Sequence, residues 1–210
     1  MSTVVLSPPS EPNVAFVLPL VLHAPKLLQN DEYFFEFCQV NPDWRIERTA
    51  QGDIEFMPPT GGRAGNTNAT LTSLLYIWAL QDGTGKVFDS STGFVLPNGA
   101  VRSPDASWVL QERLNTLTDE ECETFLPLCP DLVVELKSPT DSVATLKSKM
   151  VEYIENGARL GWLIDTSHKQ VFVYRPDAEV EELIDPPTLS GEPVLPGFVF
   201  DLRKLWAPLK

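Results

Sequence analysis

Hydrophobic and polar positions along the chain follow two periods, and the switches between them mark out the elements. Apolar residues every second position predict strands over 44–48 and 53–57, a hairpin turning at Ala50-Gln51-Gly52 and stopped by Pro58-Pro59. Further strands are expected near 86–89, at 94–96 and over 106–110, followed by the apolar run Leu132-Val133-Val134. A second hairpin, 160–165 with 170–174, turns at Ser167-His168-Lys169. Helical spacing appears in Leu71, Leu74, Leu75 and Trp78, which predicts a helix from about Asn66 to Gln81. Asn30 is placed to cap a short helix over 31–38, with acids in its first turn where the helix dipole favours them. Thr118 begins another that stops near Pro127. A fourth runs from about Val143 to Asn156, capped by Asp141 or Ser142 and ended by Gly157, with Leu146, Met150, Tyr153 and Ile154 facing inward. Residues 183–193 read as a Pro-rich loop, and 194–200 as an edge strand that closes the fold.

This mixture of strands and helices predicts an α/β (α+β) fold in one domain over 26–210, preceded by an extension, 1–25, that is partly flexible. At 210 residues and 43% hydrophobic, the chain can bury a full core. Residues 14–22 are apolar but short, interrupted by Pro19 and without the basic flank of a signal peptide, so a soluble, cytoplasmic protein is expected. Three cysteines, Cys38, Cys122 and Cys129, without C-x-x-C spacing argue against a disulfide framework or a zinc knuckle. With only His23 and His168, zinc hydrolysis and Ser-His or Cys-His catalysis lack their histidines.

The strand ending in Glu135-Leu136-Lys137 carries the candidate chemistry. Side chains alternate along a strand, so Glu135 and Lys137 share one face while Leu132, Val134 and Leu136 take the other. If Pro104 opens a neighbouring strand, Asp105 starts it, and two carboxylates and an ammonium meet at one end of a sheet. Mg²⁺ or Mn²⁺ takes oxygen ligands, often one or two carboxylates with waters and substrate phosphate, so Asp105 and Glu135 suit such an ion. Lys137 would orient a metal-bound water or stabilise developing negative charge. Glu55, between Ile54 and Phe56 on a strand, is the candidate third metal ligand. An E-x-K taken alone is usually a solvated charge pair, and an exposed strand glutamate usually an ordinary surface residue.

Pro104-Asp105 followed by Glu135-x-Lys137 resembles the signature of the PD-(D/E)xK nuclease superfamily, and the flanking text is similar to its Uma2 branch, numerous in cyanobacteria. The matching stretches are 54–62, 89–94, 102–108, 130–142 and 161–165, with Lys149 and Tyr153 fitting a K-x-x-x-Y pattern. The resemblance implies a restriction-endonuclease-like core, a mixed β-sheet flanked by helices, with Asp105, Glu135 and Lys137 as catalytic residues. It further implies a DNA substrate and a homodimer. A nuclease-fold module that binds or assembles without efficient cleavage is the alternative.

The charge of -13 works against that substrate, because a chain this acidic repels a duplex at long range. Part of the acidity lies in 119–123 and 179–185, read as solvated faces. Arg63, Lys86, Arg102, Lys137, Lys147 and Lys149 lie in or beside the matching stretches and are the candidates for a local basic patch. The glycine-rich segment 61–65 fits neither the Walker pattern nor the dinucleotide fingerprint, and is read as a turn.

Overall fold

Strand pairing divides the described residues into three sheets. The computed structural model describes residues 20–23, 26–139 and 141–207. The expected N-terminal extension therefore lies outside the described residues, except for its last strand.

In chain order, β1 (Leu20–His23) and a single 3-10 turn lead to α1 (Asp31–Gln39), whose Asn30 cap accepts a hydrogen bond from the Tyr33 amide. β2 (Arg45–Arg48) and β3 (Asp53–Met57) form the expected hairpin. Next comes α2 (Gly62–Asp82), one turn longer at its start than the periodicity predicts. The Thr67 and Thr70 hydroxyls donate to the Arg63 and Asn66 carbonyls, and the Gly65 amide donates to the Gly61 carbonyl. These local bonds turn the glycine-rich lead-in into helix, where propensity alone reads a turn.

The chain continues through β4 (Gly85–Asp89), β5 (Phe94–Val95), β6 (Val101–Arg102) and β7 (Ala106–Leu110). Two short helices follow, α3 (Gln111–Leu114) and α4 (Asp119–Cys122), the second held by a capping box between Thr118 and Glu121. Then come β8 (Leu132–Leu136), α5 (Val143–Glu155), β9 (Leu160–Asp165) and β10 (Gln170–Tyr174). The final elements are β11 (Glu181–Ile184), β12 (Thr188–Ser190), β13 (Val199–Asp201) and α6 (Arg203–Trp206).

The central sheet has six strands in the order β11-β10-β9-β8-β7-β4, with β8 and β9 parallel and the other pairs antiparallel. A parallel pair needs a crossover, and α5 supplies it. Strands β7, β8 and β9 are inaccessible along almost their whole length, so they read as apolar runs rather than clean alternations. One face packs on α2 and the C-terminal segment through Leu71, Leu75, Trp108, Leu132, Val134, Trp162, Phe198 and Phe200. The other face packs on α5 through Val109, Val133, Met150, Tyr153, Leu163 and Phe172, and the same cluster takes in Phe94 of the second sheet and Leu96 just after it. That second sheet, β1-β3-β2-β6-β5, is antiparallel and has its own small core around Phe34, Ile46, Ile54 and Val101.

Two expectations for the C-terminal region fail. The segment read as a Pro-rich loop holds the last two residues of β11, which extends the central sheet, and all of β12. The closing strand expected over 194–200 is shorter: only β13, Val199–Asp201, is strand, and it pairs with β12 in a separate two-stranded ribbon. Tertiary packing of Leu189, Leu195, Phe198 and Phe200 outweighs the turn chemistry of the prolines.

Candidate active site

β7 and β8 run antiparallel with Ala106 opposite Val134 and Ser107 opposite Val133. Continuing that register by one step sets Asp105 across from Glu135. The pairing is tied by a hydrogen bond in which the Leu136 amide donates to Asp105 Oδ2 at 2.8 Å. The two carboxylates that the sequence reading singles out therefore converge at one end of the sheet, as expected from Pro104 preceding a strand.

Lys137 goes elsewhere. It lies just past the end of β8, where its amide donates to the Ile164 carbonyl, and its Nζ stands 3.7 Å from Asp165 and donates to the Ser138 carbonyl. The ammonium beside Glu135 belongs to Lys149 on α5, with Nζ 2.9 Å from Glu135 Oε1. Tyr153, one helical turn further on, donates its hydroxyl to the same oxygen at 3.0 Å. The i, i+4 spacing puts both on one face of α5, so K-x-x-x-Y is a geometric unit aimed at Glu135.

Lys149 also reaches Glu47 of β2, 3.0 Å away. Glu47 is 1% exposed and was not a candidate in the sequence reading, since R-I-E-R looks like a half-solvated strand. Its partners explain the burial: Lys149, Arg102 at 3.2 Å, and the Ser103 amide at 3.0 Å. Arg102 is the centre of a second knot. Its Nη1 meets both Glu47 and Glu55, the latter at 2.6 Å, and its Nε donates to Glu152 at 2.7 Å. Glu47 and Glu55 face each other across the β2-β3 pair, and one guanidinium neutralises that like-charge contact. Glu55, expected as a third metal ligand, is thus held by Arg102, one strand beyond Glu47.

Arg45, at the start of β2, closes the site. It donates Nη1 to Asp105 Oδ1 at 3.3 Å and Nη2 to the Ser103 carbonyl, and lies 3.9 Å from Glu47. Asn68 of α2 donates to the same Asp105 oxygen at 3.3 Å. The helix that offers no acid until Asp82 contributes this amide instead.

Electrostatics follow burial and partners. Burial pushes the Glu135 carboxyl up, to about 7, opposed by Lys149 and assisted by Asp105 and Glu47. Burial also acts to raise Glu47, but Lys149, Arg102 and Arg45 outweigh it and hold this carboxyl down to about 2. Lys149 is desolvated too, yet Glu135 and Glu47 keep its pKa above the usual lysine value. Burial drives the Tyr153 hydroxyl well above its ordinary pKa, so it remains a donor.

A cleft of about 400 Å³ opens over this end of the sheet, lined by Arg45, Asn68, Asp105, Leu136 and Ser138 together with Asp89 and the first turns of α2. A shallower one of about 420 Å³ shares Thr72, Ser73 and Asp89 with it and reaches Tyr76. The site is therefore open on the Asp105 side and closed around Glu135, which is 4% exposed. Of the suggested basic patch, Arg102 and Lys149 are internal and Lys147 sits over the Phe172 ring at 3.8 Å. Arg63 and Lys86 are exposed.

As for a metal, no group of three or more His, Cys, Asp or Glu side chains is gathered as a ligand cluster among the described residues. Two opposed carboxylates, Asp105 at the open cleft and Glu135 behind it, are nevertheless a hard-oxygen donor set that fits Mg²⁺ or Mn²⁺.

A mixed sheet sandwiched by α2 and α5, with acids at the ends of two adjacent central strands, defines a protein of the restriction-endonuclease-like class. The chain belongs to the Uma2 family, described as "Putative restriction endonuclease", whose model matches residues 31–203. A solved structure with this fold is "a putative nuclease belonging to DUF820 from Anabaena variabilis ATCC 29413", 22% identical, covering 77% of this chain and 89% of its own, with a TM-score of 0.66. No curated protein matches the chain. Among the described residues no helix is long and apolar enough to cross a membrane.

Proposed function

We propose that the chain is a metal-dependent endonuclease, cytoplasmic and homodimeric, that hydrolyses DNA phosphodiester bonds. The observation that carries this reading is the opposition of Asp105 and Glu135 beside the cleft, with the Lys149 ammonium 2.9 Å from Glu135. Asp105 and Glu135 would hold Mg²⁺ or Mn²⁺. Such an ion supplies Lewis acidity to a phosphoryl oxygen and a water of lowered pKa. Lys149 opposes the upward push of burial on Glu135 and so favours the ionised form that can act as a ligand. Tyr153 fixes the rotamer of that carboxylate, and Asn68 and the Leu136 amide fix that of Asp105. Lys137, the lysine implied by the signature, is 11% exposed on its side chain and held by Asp165. It would serve at the rim of the site. Cleaving both strands of a duplex with one centre per chain calls for two copies, which is the reason for the dimer.

The test is nicking of supercoiled plasmid with Mg²⁺ or Mn²⁺. Asp105→Asn and Glu135→Gln should each lose about a hundredfold or more while keeping their circular dichroism spectrum. Undiminished cutting by Asp105→Asn would remove the proposal, and sedimentation as a monomer at working concentration would remove the dimer.

One observation favours a second reading, a nuclease-fold module that binds metal without turnover. Both oxygens of Asp105 already accept hydrogen bonds from protein donors. Calorimetric metal binding with no cleavage of any DNA form would establish it.

A further inference from the structure

Three cations serve the acids of this site, and they differ in their freedom to leave. Arg102 and Lys149 are 9% and 12% exposed on their side chains, and each is tied to at least two buried or half-buried carboxylates. Arg45 is 32% exposed and faces the cleft. Its only contact with Asp105 is a single 3.3 Å bond to Oδ1, and its Nε is buried without a hydrogen-bond partner among the described residues. Arg45 also donates to the Ser103 carbonyl, but its carboxylate contacts, 3.3 Å to Asp105 and 3.9 Å to Glu47, are longer than the 2.6–3.2 Å contacts of Arg102 and Lys149, so it is the cation held most loosely to the acids.

Asp105 Oδ2 is occupied by the Leu136 amide. An amide fixed in the strand cannot move aside, whereas Oδ1 holds two side-chain donors, Arg45 and Asn68, each at 3.3 Å, and of these Arg45 is the cation that an incoming metal would have to displace. The incoming ligand that would draw Arg45 off is one whose geometry matches its fork: the two non-bridging oxygens of a phosphodiester entering the cleft. Resting on the metal-dependent reading above, we infer that Arg45 is a positioning residue that substitutes for the metal in the free protein and couples metal entry to substrate. Bound phosphodiester turns Arg45 into the cleft, takes its positive charge off Asp105 Oδ1, where the Asn68 amide remains, and thereby tightens the metal. By linkage, metal tightens the phosphodiester by the same factor.

The test measures Mn²⁺ affinity by electron paramagnetic resonance, with and without a short duplex whose linkages are bridging methylene phosphonates, charged but uncleavable. In the wild-type chain the duplex should strengthen Mn²⁺ binding about fivefold or more. Arg45→Met should bind Mn²⁺ more tightly than wild type without DNA, and the duplex should no longer change that affinity. Arg45→Lys, which keeps the charge but lacks the fork, should retain weak metal binding with a reduced response to DNA. Thermal melts of both variants establish that they are folded, and if the Met variant is not, the wild-type response and the Lys variant decide. Equal Mn²⁺ affinity in wild type with and without duplex, or in Arg45→Met and wild type, would overturn the coupling. Failure of the underlying reading looks different: Asp105→Asn would then bind Mn²⁺ as well as wild type does.

Discussion

At the scale of single residues, the site contrasts two lysines with different surroundings. Lys149 stands between two buried carboxylates, Glu47 and Glu135, whereas Lys137 faces one, Asp165, at 3.7 Å. Removing a cation from between buried acids leaves charge without a partner, so Lys149→Met should destabilise the fold by about 3 kcal/mol in chemical denaturation. Lys137→Ala should cost less, about 1–2 kcal/mol, because buried Asp165 keeps its hydrogen bonds from Ser167 and His168, and should leave the Lys149 contacts in place. Equal destabilisation by the two would mean that Lys149 is not the cation on which the site is built. Asp165 carries a separate pH signature. Burial acts to raise its pKa, but hydrogen bonds from Ser167 and His168 and the charge of Lys137 bring it down to about 2. A carboxyl lower in the folded than in the unfolded chain stabilises the fold above its unfolded value near 4, and that contribution is lost as pH falls toward 2. Asp165→Asn should therefore flatten the decline of stability between about pH 4 and 2, by about 1–2 kcal/mol after allowing for solvent screening. An unchanged acid profile in urea melts would count against the assignment.

Elements explain what could be read from the chain and what could not. Asp105 and Glu135 were legible because each is at the end of a strongly apolar strand, where period-two patterning fixes the face and the register of β7 on β8 does the rest. The hairpins and α5 were legible for the same local reasons. Glu47 and Arg45 carry no such signal, and Arg102 reads only as a candidate for a basic patch, since their roles come from β2 and β6 packing against the open end of the central sheet. Long-range charge networks leave no period in a sequence. R-I-E-R reads as a strand with one wet face, yet three of its four residues are buried. Asn68 on α2 was hidden similarly, as an ordinary polar residue at a helix start. Packing between strands also sets a firm constraint at β4. A Cβ on Gly85 would come within 2.4 Å of both the Trp108 ring and the Val109 carbonyl oxygen, and neither can retreat inside a paired sheet. Gly85→Ala should destabilise by about 2–3 kcal/mol, seen as a lower denaturation midpoint at unchanged slope. A neutral substitution would show that the β4 edge can shift away from β7.

For the molecule as a whole, the question is how a chain of net charge -13 approaches a polyanion. Proteins that bind duplexes through a basic track release counterions, and their affinity falls steeply with salt. Here the cations are largely spent on internal or surface acids: Arg48 on Asp31, Arg102 and Lys149 on buried glutamates, Arg113 and Arg159 on Asp131, Arg175 on Glu181. Acidic stretches such as Glu181–Ile184 and Asp119–Cys122 lie on exposed surface. Raising monovalent salt thus has two opposed effects: it screens the repulsion between the acidic body and DNA, and it weakens the few contacts that neutralise phosphate. With one or two such contacts the second effect is small. The slope of log affinity against log salt should consequently be shallower than about -2 between roughly 50 and 200 mM, against about -5 or steeper for a protein with six phosphate contacts. Fluorescence anisotropy of a labelled duplex, read in Ca²⁺ or Mg²⁺ at each salt concentration, measures it. A steep slope would require a basic surface assembled from outside the described residues or across a dimer, and would move the DNA track away from the cleft at Asp105.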